Sequence, residues 1–186
     1  LTELIGNHPS MDVESAAAIL RDQKGINNKD IGMGNEKALN QLIAHHSVIF
    51  KPSKLQVWIS TNPFQLGPYI CYDLNHVFNI APGLKEKKEL YEKQLTLPAD
   101  PFLTSTGFKK FKAYKQMREA FQFAHRYKLN PELDEKIING FINCNPEYFE
   151  TYVLLGTYFK DQQQQARAVN YYQQALTKEI TTVQDK

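Results

Sequence analysis

The chain contains 186 residues and carries a formal net charge of +2 at pH 7. Since a typical domain has about 150 residues, this length fits one large domain or two small ones. Its 42% of hydrophobic residues against 23% of charged residues excludes the disordered and collagen-like classes. No stretch reaches the roughly 18 uncharged apolar residues of a membrane-spanning helix, so we expect no transmembrane segment.

The charge is unevenly distributed along the chain. Residues 85–128 contain eleven Lys or Arg against five Asp or Glu, whereas residues 129–186 contain five against eight. A basic segment can mark a nucleic-acid or anionic-lipid surface, but no aromatic stacking motif interleaves these lysines. We therefore expect solvated helix faces and no nucleic-acid partner.

The first third of the chain predicts a mixture of helix and strand. Ser10 or Asp12 can cap a helix over residues 12–23, and Gly25 is expected to be its C-terminal cap. Two β-rich runs, residues 44–50 and 55–60, flank a Pro-Ser-Lys turn and predict a β-hairpin. A third strand is expected over residues 69–74, after two proline turns.

The composition changes after Pro82 and Gly83, where the strand-like alternation stops and helical patterns begin. These patterns predict helices over residues 84–95 and 108–127, separated by a break at residues 98–101. The expected organisation is an α/β domain over residues 1–83, a connector over residues 84–107 and a helical domain over residues 108–186.

The last third contains the most specific pattern in the chain. It is similar to the tetratricopeptide repeat of about 34 residues, with matching residues at Tyr152, Leu155, Gly156, Phe159, Ala168, Tyr172 and Ala175. The glycine and Ala168 fall where the two helices of such a repeat would cross closely, and residues 162–165 form the expected turn. An ordinary helical hairpin that matches by chance is the simpler alternative.

A weaker match lies one repeat earlier, with Phe121 and Ile138 at large apolar positions and Pro146 at the expected proline. Residues 108–185 would then form two helix pairs, each burying its face against the next. Helical repeats of this kind predict a protein or peptide partner for the tail.

A second resemblance involves residues 8–80. This segment has, in order, a helix that ends in Leu-Arg-Asp, a glycine-rich loop and a hairpin that begins after His-Ser. In this order of elements it resembles the C45-type acyltransferase and hydrolase family, which is related to acyl-CoA:6-aminopenicillanic acid acyltransferases. The matching segments are Ile19–Asp22, Gly25, Ile31–Ala38, His45–Phe50 and Val57–Ser60.

The family resemblance implies an α+β chain, in which the C-terminal part of an αββα N-terminal-nucleophile fold precedes the all-α helical-repeat tail. It implies an N-terminal cysteine that attacks an amide or thioester, with its own α-amino group as base. Because this chain begins at Leu1, that cysteine is expected in an upstream part of the same polypeptide, and this chain alone is expected to be inactive. A small acyl compound is the expected substrate of the intact enzyme, with no added cofactor.

Three residues are candidates for substrate binding or support. Asn35 lies between glycines and could donate to a developing oxyanion, although a turn asparagine bonded to its own backbone is the simpler interpretation. His45 and His46 would point to opposite faces of a strand, so only one could face a pocket. For either one, a structural or surface histidine is the simpler interpretation.

Other chemistry has weaker support in the sequence. Cys71 is a rival nucleophile, but its apolar strand favours a buried, unreactive thiol. Cys71 and Cys144 do not have the spacing of a zinc site or a disulfide framework, and no metal motif or phosphate-binding loop is present. We expect no metal.

Two functional hypotheses remain from the sequence. One is the C-terminal part of an N-terminal-cysteine acyltransferase or amide hydrolase, and the other is a non-enzymatic module that binds a peptide or protein. About three strands are too few for two stacked sheets, so an exposed sheet edge or apolar face is expected, through which the chain could form a homo-oligomer.

Overall fold

The computed structural model describes residues 1–7, 10–83, 85, 88–129 and 131–181. Over these residues the chain is mixed α+β, with seven helices and one three-stranded antiparallel sheet. It divides into two compact units, which combine Leu1–Gln23 with Leu39–Leu103 and Lys24–Ala38 with Thr104–Lys186. We call these the sheet unit and the helical unit.

The sheet unit contains three helices and the whole sheet. Its elements are α1 (Thr2–Gly6), α2 (Val13–Leu20), β1 (Val48–Lys51), β2 (Gln56–Ser60), β3 (Tyr69–Asp73) and α3 (Leu74–Ile80). The strand order is β1-β2-β3, and Trp58 lies opposite both Ile49 and Cys71. One face of the sheet therefore packs these side chains against Val13 and Ala17 of α2.

The first predicted helix is present but shorter than expected. Asp12 caps α2 by accepting a hydrogen bond from the Ser15 N–H at 2.7 Å. The helix ends at Leu20, and the Arg21 guanidinium donates to the carbonyls of Gly67 and Pro98. Gly25 was expected as the C-terminal cap, which is wrong, because it has a φ of −83° and begins a 3₁₀ turn.

The predicted hairpin is confirmed, with shifted ends. β1 begins at Val48 rather than at residue 44, and its register pairs Val48 with Ile59 and Lys51 with Gln56. The third strand ends at Asp73, because the Asp73 carboxylate accepts bonds from the N–H groups of Asn75 and His76 and so starts α3. The sequence analysis did not predict this short helix.

The predicted helix over residues 84–95 is wrong for the residues that the structure describes. Residues 88–92 have no regular secondary structure and Lys93–Leu95 form a 3₁₀ turn, while residues 84, 86 and 87 lie outside the described residues. The segment instead pairs with β3. The Glu92 N–H donates to the Cys71 carbonyl at 2.7 Å, and Leu97 and Tyr69 exchange two main-chain bonds.

The helical unit contains the four long helices expected of the tail. They are α4 (Thr106–Arg126), α5 (Glu135–Cys144), α6 (Phe149–Asp161) and α7 (Gln165–Leu176). Ser105 caps α4 and Asp134 caps α5 through bonds to main-chain N–H groups. The four helices surround an aromatic core. Residues 182–185 of the predicted second pair lie outside the described residues.

The helical unit also contains a loop that the sequence analysis had assigned to the first domain. Residues 24–38 join it because Asn145 exchanges two bonds with Met33, at 2.9 Å from the Met33 N–H and at 2.8 Å to the Met33 carbonyl. The boundary at residues 103 and 104 does fall inside the expected connector. Residues 24–38 therefore belong to the helical unit, and the sheet unit continues past residue 83 to Leu103.

Candidate functional site

Asn35 is fully buried in the helical unit. Its side-chain amide donates to the carbonyls of Ile31 and Glu179, each at 2.9 Å, and its Oδ1 accepts from the Lys37 N–H at 3.0 Å. Because both amide hydrogens are bonded inside the protein, neither is available to an oxyanion. This asparagine instead ties its loop to the residues after α7.

His45 and His46 lie in the sheet unit, before the first strand. We had expected them on a strand, and this is wrong because β1 begins at Val48. Both side chains are exposed, and neither bonds any part of the chain that the structure describes. Asn35 belongs to the other unit, the helical one.

Cys71 is completely buried on β3, in the core between the sheet and α2. Desolvation, followed by the nearby charges of Glu92 and Asp73, raises the pKa of this thiol to about 11. A nucleophilic thiolate is therefore strongly disfavoured at neutral pH. The expected buried thiol is confirmed.

The residues of the repeat pattern meet between α6 and α7. A Cβ atom added to Gly156 would lie 2.6 Å from Cε1 of the Tyr172 ring, so the glycine lets the two helices approach closely. Leu155, Phe159, Ala168 and Ala175 are buried in the same region, as is Tyr152. The structure thus brings the seven residues into one helical hairpin.

A cavity of about 500 Å³ lies between α4 and α6 of the helical unit. We call it the groove. It is lined by Phe121, Gln122, Ala124, His125, Arg126, Leu129, Leu154, Thr157, Tyr158 and Asp161. Its volume lies in the range of about 300 to 1,000 Å³ that is typical of ligand sites.

The wall of the groove is held in place by Tyr158. Its hydroxyl donates to the Pro131 carbonyl at 2.8 Å and accepts from the Leu133 N–H at 3.1 Å. The ring packs edge to face against Phe121, with ring centroids 5.8 Å apart. These contacts give the groove a fixed apolar surface.

One end of the groove is cationic. The His125 Nδ1 and Asp161 Oδ2 atoms are 2.6 Å apart, and a second cavity of about 470 Å³ is lined by these two residues with Arg126 and Lys128. Arg126 and Lys128 are exposed and form no ion pair within the described ranges. Arg126 and Lys128 thus give this end two positive charges, against one negative charge from Asp161.

Polar side chains link the two helices beside the groove. Glu150 of α6 accepts from the Arg118 guanidinium at 3.2 Å and from the Gln122 amide at 3.3 Å, and both donors lie on α4. Because the Glu150 charge is compensated here, the opposite end is dominated by Arg126 and Lys128, whose charges are not paired by any described residue.

The sequence analysis did not single out the residues of the groove, apart from Phe121. The available signal was the basic segment of residues 85–128, whose last residues are Arg126 and Lys128. A solvated helix face was a reasonable interpretation of that segment, because the sequence does not show that α4 and α6 leave a cavity between them.

Comparison with protein-family models, with curated proteins and with solved structures found no match to this chain. No helix among the described residues is long and apolar enough to cross a membrane. Within the same residues, no group of three or more His, Cys, Asp or Glu side chains could hold a metal ion.

Proposed function

We propose that the helical unit binds a peptide segment of a partner protein, with an apolar side chain in the groove and a carboxylate at the cationic end. The observation that carries this proposal is a cavity of about 500 Å³ with aromatic and aliphatic walls beside Arg126 and Lys128, which form no ion pair with any residue that the structure describes. Apolar pockets with a few placed charges are the usual form of a specific binding site.

The side chains of the groove support binding rather than covalent catalysis. The two hydroxyl groups that line it are already bonded, since Thr157 pairs with the Tyr172 hydroxyl at 3.2 Å and Tyr158 with the 131–133 segment. The exposed His125–Asp161 pair therefore has no adjacent nucleophile in the groove to activate. A tetratricopeptide-like repeat formed by α6 and α7 is part of the same proposal.

The first experiment is fluorescence anisotropy with a labelled acidic peptide, Gly-Ser-Asp-Glu-Leu-Glu-Asp. Replacing Arg126 and Lys128 together by Gln should weaken binding about tenfold and flatten its salt dependence. The matched control replaces Lys109 and Lys110, which are exposed on the first turns of α4, and should change the affinity less than about twofold.

The second experiment tests the apolar part of the groove. Ala124→Leu should fill the space beside Phe121 and weaken binding of the same peptide about tenfold, as should replacing the peptide's leucine by alanine. Ala120→Leu is the control, because Ala120 lines only the neighbouring apolar cavity, which shares Phe121, Ala124 and Tyr158 with the groove. Equal affinity for the leucine and alanine peptides would contradict the proposal.

One observation favours the acyltransferase hypothesis as a second candidate. The sheet face opposite α2 carries Val48, Phe50 and Ile59, which are exposed apolar side chains. In an αββα fold a second sheet would cover such a face. Under this proposal the present chain should not turn over amides or thioesters, and turnover that disappears on Cys71→Ala would contradict it.

A further inference from the structure

The outer edge of β1 presents main-chain groups to solvent. The Ser60 N–H donates a hydrogen bond to the Ser47 carbonyl. In an antiparallel pair the main-chain groups of alternate residues point toward the partner strand, so those of residues 47, 49 and 51 point toward β2. The N–H and C=O groups of Val48 and Phe50 consequently point away from the sheet. No described residue forms a main-chain bond with them.

The opposite edge of the same sheet is covered by the chain itself. The main-chain groups of Tyr69 and Cys71 point outward from β3, and they bond Leu97 and Glu92. The sheet thus has one edge completed by an extended segment and one open edge. An open edge is a template for an added strand.

The side chains beside the open edge are apolar at alternate positions. Val48 is 37% exposed and Phe50 is 68% exposed, and both lie on the face away from α2. A strand paired with β1 would place every second side chain against them. Apolar residues at those alternate positions would cover exposed apolar surface.

The surroundings of the open edge are cationic. Residues 37–72 contain no Asp or Glu, whereas Lys51 ends β1 and Lys54 follows it, and both lysines are exposed, as are His45 and His46 before the strand. None of these four side chains is paired with another described residue. Acidic residues next to an added strand would therefore meet uncompensated positive charge.

We propose that the open edge of β1 binds an extended segment of a partner protein, with apolar residues at alternate positions and acidic residues between or beside them. The segment adds as an antiparallel fourth strand, with main-chain bonds to Val48 and Phe50. A second copy of β1 fits less well, since residues 37–72 supply no Asp or Glu that could meet Lys51 and Lys54 of the other copy.

The main-chain part of the proposal is tested with the labelled peptide Ac-Asp-Glu-Val-Thr-Ile-Glu-Asp-NH₂. Its valine and isoleucine N–H groups would face Phe50 and Val48, and its threonine N–H would face solvent. N-methylation of the valine should therefore weaken binding about tenfold, whereas N-methylation of the threonine should have less than about a twofold effect. Equal effects of the two methyl groups would overturn strand addition.

The proposed attraction between acidic residues of the partner and the lysines near β1 is tested by comparing substitutions at two exposed lysines. Lys51→Glu should weaken binding of this peptide about fivefold and reduce its salt dependence, while Lys93→Glu in the same unit should leave the affinity unchanged. Equal binding of a peptide with lysine in place of every acidic residue would overturn the acidic partner. A concentration-dependent dimer that Phe50→Pro abolishes would overturn it in favour of a second copy.

Discussion

The two helix pairs of the helical unit have the same order of elements but different contacts. In the second pair, Gly156 and Ala168 let α6 and α7 approach, with the Tyr172 ring against the glycine. The residue 34 positions before Gly156 is Gln122 of α4, and the residue 34 positions before Ala168 is Asp134, which caps α5. Neither position of the first pair therefore has a small residue. Small residues at a crossing therefore distinguish a tightly packed pair from a looser one.

The first pair is held by aromatic rings instead. Phe141 of α5 stacks on Tyr114 at a centroid distance of 5.1 Å and contacts Phe121 at 4.7 Å. An apolar cavity of about 150 Å³ remains beside these helices, lined in part by Met117, Ala120 and Ile137. Large side chains thus keep α4 and α5 apart and leave space at their edges.

The largest effect is expected from removing the central ring of the first pair. Phe141→Ala should lower the free energy of unfolding by about 3 to 5 kcal/mol, because a fully buried ring leaves a cavity and two aromatic contacts are lost. Urea unfolding followed by circular dichroism measures this change. Phe123→Ala on the exposed face of α4 is the control and should cost less than about 1 kcal/mol.

A smaller effect is expected at the crossing of the second pair. Gly156→Leu should destabilise the unit by about 1 to 3 kcal/mol, because its side chain would overlap the Tyr172 ring. Ala168→Leu should act in the same direction. Thermal unfolding measures both changes, with Gln164→Leu in the turn as a nearly neutral control.

The equivalent change in the first pair sharpens this comparison. Gln122 lies 34 residues before Gly156 and is exposed, and Gln122→Leu removes only its long, exposed hydrogen bond to Glu150, so it should change stability by less than about 1 kcal/mol. If Gly156→Leu instead raised the unfolding midpoint, as expected for a glycine in an open helix interior, the close contact and the repeat interpretation would both be refuted.

The segment that follows the second pair is joined to the glycine-rich loop by ion pairs. Glu179 bonds Lys29 at 2.9 Å and Lys37 at 2.6 Å, and these hydrogen bonds lower the pKa of its carboxyl group to about 2 from an ordinary value of 4.5. Because both lysines are exposed and Glu179 is partly exposed, water screens these contacts, and Glu179→Gln should cost only about 1 kcal/mol at pH 7.

The pH dependence of this contact has a definite sign. A carboxyl group with a lowered pKa contributes stability above pH 4.5, and that contribution is lost as the pH falls toward 2. Urea unfolding of the unmodified chain and of Glu179→Gln should therefore differ at pH 7 and converge near pH 2. A difference that stays constant between these pH values would contradict the assignment.

The smallest expected effect comes from filling the apolar cavity of the first pair. Ala120→Leu should raise stability by about 0.5 kcal/mol, since leucine retains good helix propensity and would bury apolar surface beside Met117 and Ile137. A thermal unfolding midpoint that falls by several degrees would show that this space is too small for the added side chain.

Local patterns in the sequence predicted the elements whose contacts are close along the chain. The β1–β2 hairpin followed from two β-rich runs around a proline turn, and the α6–α7 hairpin followed from the spacing of Gly156 and Ala168. The two halves of each hairpin are adjacent in the sequence, so the residue pattern of one short segment is enough to predict the hairpin. The same reasoning overestimated the helix at residues 84–95, where pairing with β3 prevailed over helical periodicity.

Only the tertiary structure decided where the glycine-rich loop and its asparagine belong. Gly32 has a φ of +84°, and a Cβ there would overlap the main chain of Tyr148, more than 100 residues away along the chain. Asn35 bonds the Glu179 carbonyl over a similar separation. The loop sequence alone suggested an oxyanion donor. The hydrogen-bond partner of a buried amide is a carbonyl that the tertiary structure brings next to it, and no local sequence pattern identifies that carbonyl.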